Sequence, residues 1–167
     1  MKILSHLLLI LSLSFAAHAA ELTVRNVVDG DTLVLSDGKK VRLIGVDTPE
    51  IDDKYGRNLK TAQWTGIKPK IIRDYAFKAK DYVNDWVKNQ AVRIEYDDRN
   101  IATKHQDKYG RALVYIYRTV DNAFLNADLI KYGYALTYRK FNFEHRSTFI
   151  NLEKAAKQNT QGLWSNE

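Results

Sequence analysis

The 167 residues contain no cysteine, which excludes a disulfide framework, thiolate zinc sites and a cysteine nucleophile. Lysine and arginine number 26 against 20 aspartates and glutamates, a formal net charge of +6, and a basic surface suits a polyanionic partner without singling one out. The length allows one domain with a core of its own.

Residues 1–19, MKILSHLLLILSLSFAAHA, carry Lys2, an apolar run from Ile3 to Phe15 and the small triplet Ala17-His18-Ala19. That is the pattern of a secretory signal peptide cleaved near Ala19, and the run is shorter than the roughly 20 residues a spanning helix needs. The expectation is an exported protein, secreted or periplasmic, free of the membrane after cleavage, with residues 20–167 as a single domain. Cleavage removes one basic residue and no acidic one, leaving 25 minus 20, or +5.

From Leu22 the chain reads as three short strands, LTVRNVV, DTLVL and VRLIGV, the last two joined through SDGKK. Asp37-Gly38 is a hairpin turn signal, because both residues tolerate positive φ. A charged stretch, Ile51 to Pro69, reads as a loop. The segment Lys70 to Gln90 then places Ile72, Ala76, Ala79, Val83 and Trp86 at helical spacing. AVRIEYDD returns to period two, and after a polar loop RALVYIYR is the fifth strand. A short helix around Leu125 to Lys131 stops at Gly133, and a last one from about Glu144 to Gln158 shows Phe149, Leu152 and Ala156 on one face before Gly162. Connections this short exclude a sheet of parallel crossovers. The expected architecture is α+β: a closed, five-stranded Greek-key β-barrel of the OB type with three flanking helices.

Charged residues crowd the strand ends. Asp29 and Asp31 sit at the first turn, Asp47 and Glu50 leave the third strand, and Arg42 and Arg111 open strands three and five. Carboxylates delivered from neighbouring strand ends can gather a hard cation, and arginine offers a permanently charged fork matched to phosphate. KYGR occurs at Lys54–Arg57 and again at Lys108–Arg111. The second copy opens a strand and fixes Arg111, whereas the first reads as a loop whose Arg57 is solvated or touches phosphate. Once residues 1–19 are removed, only His105 and His145 remain, outside any structured motif, so general-base candidates are carboxylates.

VVDGDTLVL, RLIGVDTPE and DKYGRALVYIY, in this order and with strand-like surroundings, resemble the thermonuclease, or staphylococcal nuclease-like, family, and the likeness runs from about Leu22 to Trp164. The resemblance implies a calcium-dependent phosphodiesterase on an OB barrel, a monomer acting on DNA and RNA and leaving 3′-phosphate ends. By motif position it implies Asp31, Asp47 and the Thr48 carbonyl as calcium ligands with Asp29 behind them. Arg42, Glu50 and Arg111 take the catalytic positions, and Lys108 and Tyr109 meet a terminal phosphate. The segment after Glu50 and the stretch YALTYRKFNF depart from the pattern, which leaves Tyr138 and Phe141 open as the base-stacking residue. The alternative is a non-catalytic OB-type nucleic-acid-binding module, from which Glu50 with Asp31 and Asp47 would distinguish an enzyme.

Overall fold

The computed structural model describes residues 21–165; the expected signal peptide lies outside the described residues. In chain order the elements are β1 Val24–Asp29, β2 Thr32–Leu35, β3 Lys40–Leu43, β4 Val46–Asp47, α1 Arg57–Thr65, α2 Pro69–Val87, β5 Val92–Glu95, β6 Ala112–Arg118, α3 Leu125–Lys131, β7 Leu136–Thr137 and α4 Arg146–Gln158, with 3₁₀ turns at Asp98–Thr103 and Gly162–Trp164.

Five strands form one sheet in the order β1-β2-β3-β6-β5. All neighbours are antiparallel except β3 and β6, which run parallel with Val41 opposite Ala112 and Leu43 opposite Val114. The long excursion through α1, α2 and β5 permits that one parallel pair, since a crossover needs a dozen residues or more. The expected closed barrel is corrected here. The outer strands β1 and β5 meet only near their starts, through an isolated Thr23–Ala91 bridge and the Val92 N–H to Leu22 carbonyl bond at 2.7 Å, and no continuous ladder seals the sheet.

The third predicted strand divides in two. Gly45 takes φ 75°, and a Cβ there would lie 2.5 Å from the Phe143 ring, so the chain bends tightly between β3 and β4. Past the bend, β4 leaves the main sheet to pair with β7 and carries Asp47 with it. The hairpin expected at Asp37-Gly38 is present, with Gly38 at φ 85°.

Among the described residues four helices are present instead of three. The region read as a loop, 51–69, contains α1, which escaped the sequence pattern because Ala62 is its only buried residue. The other three match expectation: α2 opens with Pro69 in its first turn and buries Ile72, Ala76, Ala79, Val83 and Trp86. α4 buries Phe149 and Ala156 and ends at Gln158, so Gly162 opens a 3₁₀ turn and does not stop the helix. Among the described residues no helix is long and apolar enough to cross a membrane.

The core lies between the sheet and residues of α2, α3 and α4, with Leu33, Leu43, Ile44, Val114, Leu129 and Phe149 fully buried. Burying side chains of this size contributes roughly 1.5–3 kcal/mol each. Asn126 of α3 is also fully buried; it accepts from the Ile116 N–H (3.0 Å) and donates to the carbonyls of Ile44 (3.0 Å) and Val114 (3.2 Å). It thereby satisfies backbone groups left where β3 and β6 diverge and holds the sheet edge from which β4 departs.

Candidate active site

The β1–β2 turn supplies Asp31, which is buried at 4 % exposure. Its carboxylate is fully engaged: Oδ1 accepts the Thr32 hydroxyl at 3.0 Å, and Oδ2 accepts the Thr48 backbone N–H (3.1 Å) and hydroxyl (3.0 Å). Asp29 stands behind it, accepting the Asp31 N–H at 3.2 Å. Gly30 between them is close-packed, since a Cβ would lie 2.7 Å from Thr48 Cγ2 and 2.8 Å from Ala79 Cβ. The turn, the β4 exit and α2 therefore fit together only without a side chain at this position.

Arg42, directly across from Thr32 in the β2–β3 pair, forms an ion pair with Asp31 and reaches Asp47 Oδ1 at 3.4 Å. Burial pushes its pKa below the ordinary guanidinium value, against the pull of Asp47. One guanidinium thus spans the two carboxylates expected to hold a metal.

Sequence reasoning missed a third arginine. Arg57, the first residue of α1, donates to Asp47 Oδ1 at 3.0 Å and forms an ion pair with Glu50. The loop-charge reading of Arg57 gives way to a member of the site. Its placement is local chemistry: Asp53 accepts the N–H groups of Arg57 (2.5 Å) and Asn58 (3.1 Å), capping the helix start. Asn58 then staples α1 to the β4 exit, accepting the Glu50 N–H at 2.8 Å and donating to the Glu50 carbonyl at 2.7 Å. The available signal was the repeat itself, a second Gly-Arg pair seven residues after Glu50. Burial raises the Glu50 pKa above the usual carboxylate value, and Arg57 draws it partly back.

Arg111 approaches from the other side. Its Nε and Nη2 both lie 2.6 Å from Asp107 Oδ2, and Nη1 donates to Thr32 Oγ1 at 3.2 Å. Thr32 passes that contact to Asp31. Asp107, not anticipated from the sequence, also accepts the backbone N–H groups of Tyr109 (2.9 Å) and Arg111 (3.0 Å). Burial would raise its pKa, but these donors outweigh burial and hold the carboxyl below its ordinary value. The Asx-turn spacing, Asp followed by Gly-Arg three and four residues later, was the legible cue.

Arg42, Asp47, Arg57, Asp107 and Arg111 border an open cleft of about 670 Å³ whose walls also include Lys108 and Tyr109. The Lys108 ammonium lies 4.9 Å from the Tyr109 ring centroid and the Arg111 guanidinium 5.5 Å from it. Tyr138 and Phe141, with ring centroids 5.1 Å apart, face the same cleft, as does Trp64 of α1. Three guanidinium groups interleaved with Asp31, Asp47 and Glu50 can bind a phosphodiester and spread its charge beside a carboxylate able to take a proton.

Among the described residues no three aspartates, glutamates or histidines gather as a metal cluster. The fit to a cation rests on two carboxylates. Asp31 and Asp47 already share one positive group, Arg42, and carboxylate oxygens are the donors a hard divalent ion prefers.

Residues 40–166 match the family described as Staphylococcal nuclease homologue. An uncharacterized protein of Methanocaldococcus jannaschii is 42% identical over 151 residues, covering 85% of this chain and 70% of the relative. Thermonucleases of Staphylococcus hyicus and Staphylococcus intermedius are 31% and 32% identical over 148 residues each, covering 86% and 84% of this chain and 75% and 74% of theirs. The cleft with its strand-end carboxylates and arginines lies inside the matched segment except for the Asp29–Asp31 turn, and the chain belongs to the staphylococcal nuclease homologue family.

Proposed function

We propose that this protein is an exported, monomeric nuclease that hydrolyses phosphodiester bonds of DNA and RNA, depends on calcium and leaves 3′-phosphate ends. Its family, with thermonucleases among its relatives, supports the nuclease class. The observation that carries the reading is the convergence of Arg42, Arg57 and Arg111 on one network with Asp31, Asp47 and Glu50.

In this reading Asp31, Asp47 and the Thr48 carbonyl would hold the calcium ion, which when bound adds positive charge beside the scissile phosphate. Arg42 and Arg111 clasp the non-bridging oxygens, where charge accumulates as phosphorus becomes five-coordinate, so they stabilise the transition state more than the diester. Glu50 takes a proton from the attacking water; its burial-raised pKa brings it nearer to that task than an ordinary carboxylate. The new bond forms from water oxygen to phosphorus and the bond to the 5′-oxygen breaks. Arg111 donates a hydrogen bond to that leaving oxygen, which takes a proton from solvent water and departs as a 5′-hydroxyl, leaving the phosphate on the 3′ side, while Glu50 gives its proton back to solvent. Lys108 and Tyr109, at the cleft wall, receive the terminal phosphate.

Digestion of plasmid DNA and of RNA by the purified protein, with calcium and then with a chelator, tests this directly. Cleavage that stops on chelation and yields 3′-phosphate ends supports it. Binding without cleavage would leave a nucleic-acid-binding module, and undiminished cleavage in chelator would remove the metal.

A further inference from the structure

We infer a second nucleotide subsite outside the cleft, in the pocket where the start of β3 faces the 96–112 loop. There lysines hold phosphates and the Tyr96–His105 pair stacks a base of the single strand being cut. The inference rests on the nuclease reading above and extends it from the scissile bond to the length of strand recognised.

The pocket encloses about 480 Å³ and includes Lys39, Lys40 and Lys104 with His105, and no carboxylate lines it. Lys39 has only a long contact with Asp37, 3.8 Å, and among the described residues neither Lys40 nor Lys104 has an ion-pair partner. The Arg57, Arg93 and Arg118 side chains are by contrast matched to acids. His105, which lines the pocket, has its Nδ1 buried without a hydrogen-bond partner, a costly state. Its ring packs on Tyr96, centroids 4.9 Å apart, and Tyr96 is 42 % exposed. Lys104 and His105 both sit at positive φ, 53° and 54°, a conformation disfavoured for non-glycine residues and enriched at ligand sites.

Position identifies the ligand. Lys40 and Arg42 alternate with buried Val41 and Leu43, so they share one face of β3 at a spacing of ~6.6 Å, two residues along a strand. The Asp107–Arg111 turn separates the two depressions, with Arg111 on the cleft side and Gly110 and Ala112 on the other. A chain with one phosphate at Arg42 and Arg111 crosses this turn and brings its neighbouring phosphates to Lys40, Lys39 and Lys104. An aromatic ring beside those lysines favours a single strand, because an unpaired base offers a free face for stacking.

The test compares the unaltered protein with a Lys39→Ala/Lys40→Ala/Lys104→Ala variant and with Tyr96→Ala, all four side chains being exposed and outside the core. Binding of fluorescent single-stranded oligonucleotides of two to twelve nucleotides is followed by anisotropy against salt in chelator, and cleavage of the same series is followed with calcium. The lysine variant should weaken binding of the long oligonucleotides about tenfold or more, and flatten the salt slope by about 2, three contacts at ~0.7 each. The dinucleotide should be unaffected, and Tyr96→Ala should reduce affinity for the long series at any salt. Equal losses for short and long oligonucleotides, an unchanged salt slope, or saturation by inorganic phosphate that leaves oligonucleotide affinity untouched would each overturn the subsite. Length-dependent binding by a protein that cleaves nothing would retain the subsite and defeat the nuclease reading; cleavage with no length effect would do the reverse.

Discussion

Arg42 and Arg57 share a single oxygen: Asp47 Oδ1 lies 3.4 Å from one guanidinium and 3.0 Å from the other. The two arrive from unrelated parts of the chain, Arg42 from inside the sheet and Arg57 from the first turn of α1. Their common partner makes the β4 exit the meeting point of sheet and helix.

Arg57 also controls the acidity of Glu50, because burial raises that carboxyl and Arg57 lowers it. Arg57→Ala removes the lowering influence, so Glu50 holds its proton to higher pH. The acidic limb of the pH profile of kcat/KM should move upward, and Arg57→Lys, which keeps the charge, should restore much of the shift. An unmoved limb in Arg57→Ala would show that Glu50 does not titrate under Arg57.

Arg111 and Asp107 separate contact from positioning. Arg111→Ala should lower kcat by ~10²- to 10³-fold, the usual cost of one preorganised charge donor. Asp107→Asn keeps Arg111 charged but loosens its aim, and misplacement on the scale of 1 Å costs up to about 10²-fold, so its kcat should fall between the two. Steady-state kinetics on a short oligonucleotide, with KM little changed in either variant, checks both.

Calcium should stabilise the folded chain. At a free concentration of 100 times Kd the gain is about 2.7 kcal/mol, which for a domain of this size raises Tm by roughly 5–10 °C. Differential scanning calorimetry should find that increment lost in Asp47→Asn, whatever the variant's own starting Tm.

Acid sensitivity should include a contribution from Asp97. Burial favours its protonated form, but donors outweigh burial: the Tyr115 hydroxyl at 2.5 Å, the Glu144 N–H at 2.7 Å and the Arg99 N–H at 2.9 Å hold its pKa below the ordinary value. A depressed carboxylate stabilises the fold fully above its unfolded pKa of about 3.9, and that contribution is lost as pH falls through the lower folded value. Urea midpoints measured from pH 6 to pH 2.5 should therefore drop at the acid end, and Asp97→Asn should flatten the drop.

Gly30→Ala forces a methyl against Thr48 and Ala79 at under 3 Å. Overpacking of this kind costs ~1–3 kcal/mol. Since Thr48 is docked on Asp31, the variant should lose both several degrees of Tm and activity; a stable variant with impaired activity would assign the close fit to the site alone.

Local patterns in the sequence determined most of the strands, the long helix, the hairpin at Gly38 and the placing of Asp31, Asp47 and Arg111 at or beside strand ends, because period, turn residues and helix faces are properties of neighbouring residues. Only the folded chain decided what lies beyond that range. α1 buries one alanine and so carries no apolar stripe; it is specified by Asp53 at its start and by Asn58 on the Glu50 backbone. Arg57 joins the site through that docking; the repeat at residues 54–57 marks the residue but not the contact that brings it to Glu50. The bend at Gly45, imposed by the Phe143 ring ninety-eight residues later in the chain, likewise splits a strand that alternation alone reads as continuous. Which charges meet is a question of long-range packing, and packing chose Arg57 as well as Arg111.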